Sequence, residues 1–112
     1  MALEQPFFSI IVATYARSAQ LATCLQSLTH LEYPRDRFEV IVVDDGSKVP
    51  PEAEVAGFHG RLHVTLLTQH HAGPAKARNT GAARAKGQFL AFTDDDYVPS
   101  NNWLQALQSA LP

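Results

Sequence analysis

The chain has few of the features that mark whole classes of protein. It holds one cysteine among 112 residues, so no disulfide can form within the chain and cysteine usage does not indicate secretion. No stretch approaches the roughly 18 consecutive apolar residues of a transmembrane helix, and no signal peptide is recognisable. The net charge is −2, without a basic block, which argues against nucleic-acid binding. We therefore expect a soluble, cytoplasmic domain.

Strand-like and helix-like segments alternate along the chain. The apolar, β-branched runs predict strands at 8–14, 38–43, 64–67 and 89–92. Helical spacing predicts helices at about 19–31 with Ser18 as its cap, 52–58, 74–86 with Gly87 as its stop, and from about Ser100 onward. This order is typical of a single α/β domain over 1–112, with a three-layer, mostly parallel, Rossmann-like sheet.

Three consecutive carboxylates, Asp94, Asp95 and Asp96, follow the segment 89–92. We interpret that segment as a short buried strand, so the acids would lie at the strand's carboxyl end, where open α/β sheets bind ligands. Adjacent carboxylates repel one another unless a cation is near, and Mg²⁺ or Mn²⁺ prefers such oxygen ligands. A solvated acidic turn is the alternative, because aspartate also favours turns.

A second acidic pair ends another predicted strand. Asp44 and Asp45 follow the apolar run 40–43, and Gly46 and Ser47 offer a turn after them. Right-handed crossovers in a parallel sheet bring such strand ends to one edge. Two acidic strand ends in one small domain therefore favour a single acidic crevice over two unrelated turns.

The remaining reactive side chains give weaker signals. Cys24 lies among leucines at helical spacing and is interpreted as a buried core residue. The neighbouring pair His70 and His71 could ligate a transition metal, but adjacent side chains often point apart. We favour a loop beside the predicted crevice for these two histidines.

Three motifs, taken in order, resemble those of family 2 glycosyltransferases with the GT-A fold. They are Ser9 to Arg17, Val40 to Ser47, and the long segment from Gly73 through Asn79 to Asp96, which Pro99 and Trp103-Leu104 continue. Each motif alone is a weak signal, but the ordered set is specific and covers nearly the whole chain. The fold implied is the nucleotide-binding half of a GT-A enzyme.

The resemblance implies transfer of a sugar from a nucleotide diphosphate sugar, a UDP- or GDP-sugar, with inversion and with Mn²⁺ or Mg²⁺. Asp45 would hydrogen-bond the base, and Arg78 would either contact the site or pair with Asp44 or Asp45. The acceptor, a saccharide, lipid or protein, stays open. The implied substrate-binding residues are Thr14, Tyr15, Arg17, Asp44, Asp45, Arg78, Asp94 and Asp95, and the implied metal ligands are Asp94 and Asp96.

The chain departs from the family pattern in two ways. Ala13 and Ala16 stand where the family often has Pro and Asn, and no residue after Pro99 is acidic. Family members continue well beyond the acid triplet and usually supply a general base there. We therefore expect a truncated domain that binds a donor without efficient transfer, from a parent at the inner face of a membrane. Its severed sheet edge would permit a homodimer.

Three other functions compete with this reading. A non-catalytic nucleotide-sugar-binding or scaffold module fits the same residues. A receiver-type signalling domain normally carries its acid pair after the first strand, where this chain has Thr14 and Tyr15. A dinucleotide-binding oxidoreductase lacks support, because no G-x-G-x-x-G follows the first strand.

Overall fold

The computed structural model describes residues 5–111. Its strands are β1 (Phe8–Thr14), β2 (Phe38–Asp44), β3 (Val64–Thr68) and β4 (Phe89–Asp94). Its helices are α1 (Ser18–Leu28), α2 (Glu52–Ala56), α3 (Pro74–Arg84) and α4 (Trp103–Ser109), with a 3-10 turn at Arg35–Arg37. All strand pairs are parallel, and the order across the sheet is β3-β2-β1-β4. The predicted α/β fold is confirmed.

The sheet has apolar residues on both faces because its central strands are continuously apolar. On one face, Ile10 and Val40 pack with the buried leucines of α1, Val55 of α2 and Leu104 of α4. On the other face, Ile11, Ile41 and Val43 pack against Ala77 of α3. Helices therefore cover the sheet from both sides, as continuous apolar strands of a parallel sheet require.

Helix α3 approaches the sheet closely because its inner face is small. Ala77 is fully buried, and a Cβ atom added at Gly81 would lie only 2.6 Å from Ile11 Cγ2 and 3.1 Å from Val43 Cγ2. Packing, and not chemistry, accounts for the small residues of this helix. The close approach matters for the site, because it sets the N-terminus of α3 beside the ends of β1 and β2.

Strand β4 differs from the buried strand expected at 89–92. Only Ala91 is buried, whereas Leu90 and Phe92 are 42% and 47% exposed. The prediction of burial is wrong because β4 is an edge strand and α3 packs on β1 and β2. The side of β4 away from β1 has no partner strand within residues 5–111.

The helices are shorter than predicted, and two residues do not have the terminal roles expected of them. Ser18 is the first residue of α1 and does not cap it; the Arg17 carbonyl accepts the bond from Leu21 N at 2.9 Å. Helix α3 ends at Arg84, so Gly87 is not its stop. Gly87 lies instead against β1, where an added Cβ would come within 2.6 Å of Ser9 N. Within residues 5–111, no helix has the length and apolar character needed to cross a membrane.

Candidate active site

A cavity of about 430 Å³ lies over the carboxyl ends of β1, β2 and β4, next to the start of α3. Its volume lies within the range of small-ligand sites, roughly 300–1,000 Å³. Every residue of the predicted site except Asp44 lines it. These are Thr14, Tyr15, Arg17, Asp45, Arg78, Asp94, Asp95 and Asp96. The parallel topology therefore brings together residues that are up to 82 positions apart in the chain (96 − 14).

The middle acid of the triplet is a structural link. Asp95 Oδ2 accepts a hydrogen bond from Thr14 Oγ1 at 2.9 Å, and Asp95 Oδ1 lies 3.5 Å from Arg17 Nη1. The Asp95 side chain is only 8% exposed. These contacts tie the end of β1 to the end of β4, so Asp95 shapes the cavity from below.

The flanking acids, Asp94 and Asp96, are open to solvent and line the cavity. The Asp96 side chain is 59% exposed, and its Oδ2 lies 3.6 Å from Arg17 Nη1. No cluster of three or more metal-ligating side chains occurs within residues 5–111. Two open carboxylates nevertheless suit Mg²⁺ or Mn²⁺, because such ions commonly take one or two carboxylates and complete their shell with water and substrate phosphates.

Asp45 is enclosed by the loop that joins β3 to α3. Its Oδ1 accepts hydrogen bonds from Gln69 Nε2 at 2.9 Å and Ala72 N at 2.8 Å. Its Oδ2 accepts from Gly73 N at 3.0 Å and lies 3.0 Å from His71 Nδ1. The Gln69 amide and the two backbone N–H groups hold the pKa of Asp45 below its usual value, against the opposing effect of desolvation. Asp45 is therefore an ionised, fully partnered carboxylate.

Asp44 lies outside the cavity lining and shapes the neighbouring loop. Asp44 Oδ2 accepts from Ser47 N at 3.0 Å, while Ser47 Oγ accepts from Ala16 N at 2.7 Å. Ala16 has φ of 54°, a left-handed conformation that Asn adopts more readily than Ala. This position is the one where the resembled family often has Asn, so the departure leaves local strain without removing a site residue.

Arg78 lines the cavity from α3. Among residues 5–111, Arg78 forms no ion pair with Asp44 or Asp45. The ion pair with Asp44 or Asp45 is thus not formed, and a role for Arg78 in the site stays a prediction.

Sequence reasoning missed Gln69 and gave too little weight to His71. Thr80 Oγ1 of α3 donates to Gln69 Oε1 at 2.6 Å, and Gln69 in turn donates to Asp45. The His71 ring lies against the Tyr15 ring, with centroids 4.4 Å apart. The signal for Gln69 was its place directly after β3, at the same sheet edge as the acids. As expected, His70 and His71 lie in a loop at the cavity, and only His71 lines it.

Cys24 is buried, as the leucine spacing predicted. Its Sγ lies 3.8 Å from the Asp94 carbonyl oxygen. Burial, with smaller contributions from the charges of Asp95 and Asp96, raises the pKa of Cys24 to about 12. The thiol is therefore neutral and is not a nucleophile of this site.

Residues 9–111 match the protein family described as glycosyl transferase family 2. The chain belongs to glycosyl transferase family 2. This membership decides against the receiver-type and oxidoreductase alternatives. Glycosyltransferase AglE from Haloferax volcanii is 34% identical over an alignment of 103 residues, and the alignment covers 89% of this chain and 34% of AglE. This chain thus spans about a third of the length of that relative.

Many solved structures are similar to this family 2 chain, among them two glycosyltransferases in complex with nucleotide sugars. TarS 1–349 from Staphylococcus aureus, in complex with UDP-GlcNAc, superposes with a TM-score of 0.86 at 30% identity, over 92% of this chain and 30% of that one. The mannosyltransferase PcManGT from Pyrobaculum calidifontis, in complex with GDP-Man and Mn²⁺, gives a TM-score of 0.80 at 32% identity. This superposition covers 88% of this chain and 30% of the mannosyltransferase.

Proposed function

We propose that the cavity binds a nucleotide diphosphate sugar together with Mn²⁺ or Mg²⁺, as the donor site of an inverting glycosyltransferase. The observation that carries the proposal is the pair of open carboxylates, Asp94 and Asp96, beside Arg17 in a cavity of suitable size. Family membership supports the reaction class, and two similar structures are complexes, one with UDP-GlcNAc and the other with GDP-Man and Mn²⁺.

Different residues of the cavity would contact different parts of the donor. Tyr15 offers an exposed aromatic face for a base, and Asp45 supplies an ionised acceptor at the same side of the cavity. Arg17 and Arg78 supply positive charge for the diphosphate. Asp94 and Asp96 would hold the divalent ion, which when bound stabilises negative charge on the leaving nucleotide.

The described residues offer no carboxylate at the cavity that is free to act as general base. Asp45 is saturated with hydrogen bonds, and Asp95 is held by Thr14. Asp94 and Asp96 are assigned to the cation. Direct displacement needs a base within reach of the acceptor hydroxyl. We therefore propose that the 112-residue chain binds a donor without efficient transfer; rapid sugar transfer by the purified chain would contradict this.

Calorimetric titration tests the donor site. UDP, GDP, UDP-GlcNAc and GDP-Man are titrated into the chain with and without Mn²⁺. We expect binding that depends on Mn²⁺ and weakens at least roughly tenfold in Asp96→Asn, because a metal ligand is lost while the side-chain shape is kept. Asp36→Asn is the matched control, since Asp36 is an exposed aspartate in the 3-10 turn.

The two variants separate specific binding from a general charge effect. Equal weakening in Asp96→Asn and Asp36→Asn would mean that net charge alone governs affinity. Metal-independent binding that survives Asp96→Asn would refute the assignment of the cation to the triplet. It would leave a nucleotide-sugar-binding module of another kind, the alternative that shares this cavity.

A second copy of the chain is the partner that we propose for the free edge of β4. Leu90 and Phe92 expose large apolar side chains on one face of that edge strand, next to unpaired backbone groups. Light scattering over a range of concentrations tests this, with Phe92→Lys expected to weaken association. Val49→Lys, at an 81% exposed valine elsewhere, is the control. A monomer at every concentration contradicts the dimer.

A further inference from the structure

His71 makes the same two contacts that a nucleobase would make in this cavity. Its ring faces the Tyr15 ring at a centroid distance of 4.4 Å and an angle of 35°. Its Nδ1 lies 3.0 Å from Asp45 Oδ2 and 3.1 Å from the Asp45 carbonyl oxygen. Since both neighbours are acceptors, Nδ1 carries the hydrogen and donates it. The imidazole thus combines an aromatic contact with an N–H donor, as a base does.

Asp45 cannot accept a further hydrogen bond without losing one. Each carboxylate oxygen already has two donors, and the side chain is 5% exposed. Two of the donors are backbone N–H groups, and Gln69 is itself held by Thr80. The His71 side chain, 61% exposed, is the one donor that can leave at low cost. A base that bonds Asp45 would therefore take the place of His71.

The backbone around His71 is held while its side chain has room to rotate. Gly46 has φ of 88°, and a Cβ added there would lie 2.7 Å from His71 N, so the two loops pack backbone to backbone. His71 also lines a second cleft of about 340 Å³, together with Gly46, Thr68, Gln69 and His70. We infer that this cleft is the space into which the imidazole turns when it leaves Asp45.

We propose that the His71 side chain occupies the nucleobase subsite of the free protein, and that the base of the incoming nucleotide displaces it. This rests on the proposed donor site. A nucleotide can bind fully only to those molecules in which His71 has left the subsite. The apparent dissociation constant is therefore the intrinsic one divided by the fraction of molecules with an open subsite. The side chain at position 71 thus determines how much the nucleobase contributes to the binding free energy of the nucleotide. The contribution of the diphosphate is unaffected.

The test compares probes with and without a base. Dissociation constants of UDP, GDP and inorganic pyrophosphate are measured with Mn²⁺ for the wild-type chain, His71→Ala and His59→Ala. We expect His71→Ala to bind UDP and GDP about three- to tenfold more tightly and pyrophosphate unchanged. His59→Ala is the matched control, since His59 is an exposed histidine that lines neither the donor cavity nor the second cleft. His71→Asn retains an N–H donor for the loop, and we expect it to tighten nucleotide binding as well.

An NMR measurement reports the displacement directly. In the free chain, Tyr15 and His71 ring protons should show a nuclear Overhauser contact, which should disappear when UDP is added with Mn²⁺. Its absence in the free chain, or its persistence in the complex, overturns the proposal. A contact that is present when free and lost in the complex supports it.

The outcomes separate this proposal from the donor site on which it rests. If wild type binds UDP or GDP and His71→Ala binds them equally or more weakly, the His71 proposal fails while the donor site stands. If pyrophosphate binding tightens as well, the effect concerns charge and the proposal also fails. If neither protein binds any nucleotide, both proposals fail together.

Discussion

The two acidic strand ends are alike in sequence and opposite in structure. Asp45, after β2, is enclosed by four donors from the loop that precedes α3. Asp96, after β4, is 59% exposed and contacts only Arg17 among the described charged groups. The difference lies in the neighbouring chain, because the β3–α3 loop folds back over β2 while no described strand lies beyond β4. A carboxylate's role here is set by the loop beside it.

The largest effect in this comparison is expected from Asp45→Asn. Asn keeps one acceptor oxygen, so its NH2 group faces the donors of the other oxygen, either Gln69 and Ala72 or Gly73 and His71. N–H groups that face N–H groups leave buried polar groups unsatisfied. We expect the melting temperature at pH 7 to fall by roughly 5 °C or more.

The loss of stability caused by Asp45→Asn should depend on pH. The pKa of Asp45 is lowered in the folded chain, so its contribution is present above 3.8 and is lost as pH falls through the folded value. The gap in melting temperature between Asp45→Asn and wild type should therefore narrow below about pH 4. A gap that stays constant down to pH 2 would show that shape alone, without charge, explains the destabilisation.

A smaller loss is expected from Gln69→Ala, which removes one donor to Asp45 and leaves three. Its melting temperature should lie between those of wild type and Asp45→Asn. Thr80→Val, which removes only the hydroxyl that holds Gln69, should be milder still. If Gln69→Ala has no effect beyond that of Thr80→Val in thermal unfolding, the amide does not help to fix Asp45.

The loop beside Asp44 allows a stabilising substitution. The left-handed φ of 54° at Ala16 is sterically unfavourable by roughly 1–2 kcal/mol, and Asn tolerates this conformation better. We expect Ala16→Asn to raise the free energy of unfolding by about 0.5 kcal/mol. Ala19→Asn, a nearby exposed helical position, is the control and should destabilise. Destabilisation by Ala16→Asn in chemical unfolding would contradict the strain.

The sheet could be predicted from the sequence because its signals are local. The apolar runs at 8–14 and 38–43 each carry their own strand signal, and the acids follow these runs directly. The order of elements then fixes the edge at which the acids meet. The predicted bounds of β1 match the structure at both ends, and the observed β2 is one residue longer than predicted, ending at Asp44 instead of at 43.

The roles of single acids could not be predicted in this way, because they depend on contacts between distant segments. Asp45 and Gln69 are 24 residues apart, and Thr14 and Asp95 are 81 apart. Burial of Leu90 and Phe92 was overestimated for a related reason. Their apolar character is visible in the sequence, but the position of β4 at the sheet edge and the width covered by α3 are not.

Near-zero change in stability is expected from Asp96→Asn, in contrast with Asp45→Asn. The Asp96 carboxylate is exposed, and its ion pair with Arg17 at 3.6 Å is largely screened by solvent. Removal of one negative charge from the triplet offsets the loss of that pair. Thermal unfolding at pH 7 without metal should show equal melting temperatures; a marked fall would mean that Asp96, like Asp45, supports the fold.

The smallest expected effect is that of the charges of the acid triplet on the reactivity of the Cys24 thiol. Burial is the main reason that its pKa is raised to about 12, and Asp95 and Asp96 add to it. The folded thiol should therefore resist iodoacetamide at pH 8, while the denatured chain reacts, and Asp96→Asn should react only slightly faster than wild type. Because the folded pKa exceeds the ordinary 9.0, stability from the buried thiol is complete below pH 9 and declines as pH rises toward 12. Equal alkylation rates in the folded and denatured chain would show that Cys24 is not buried.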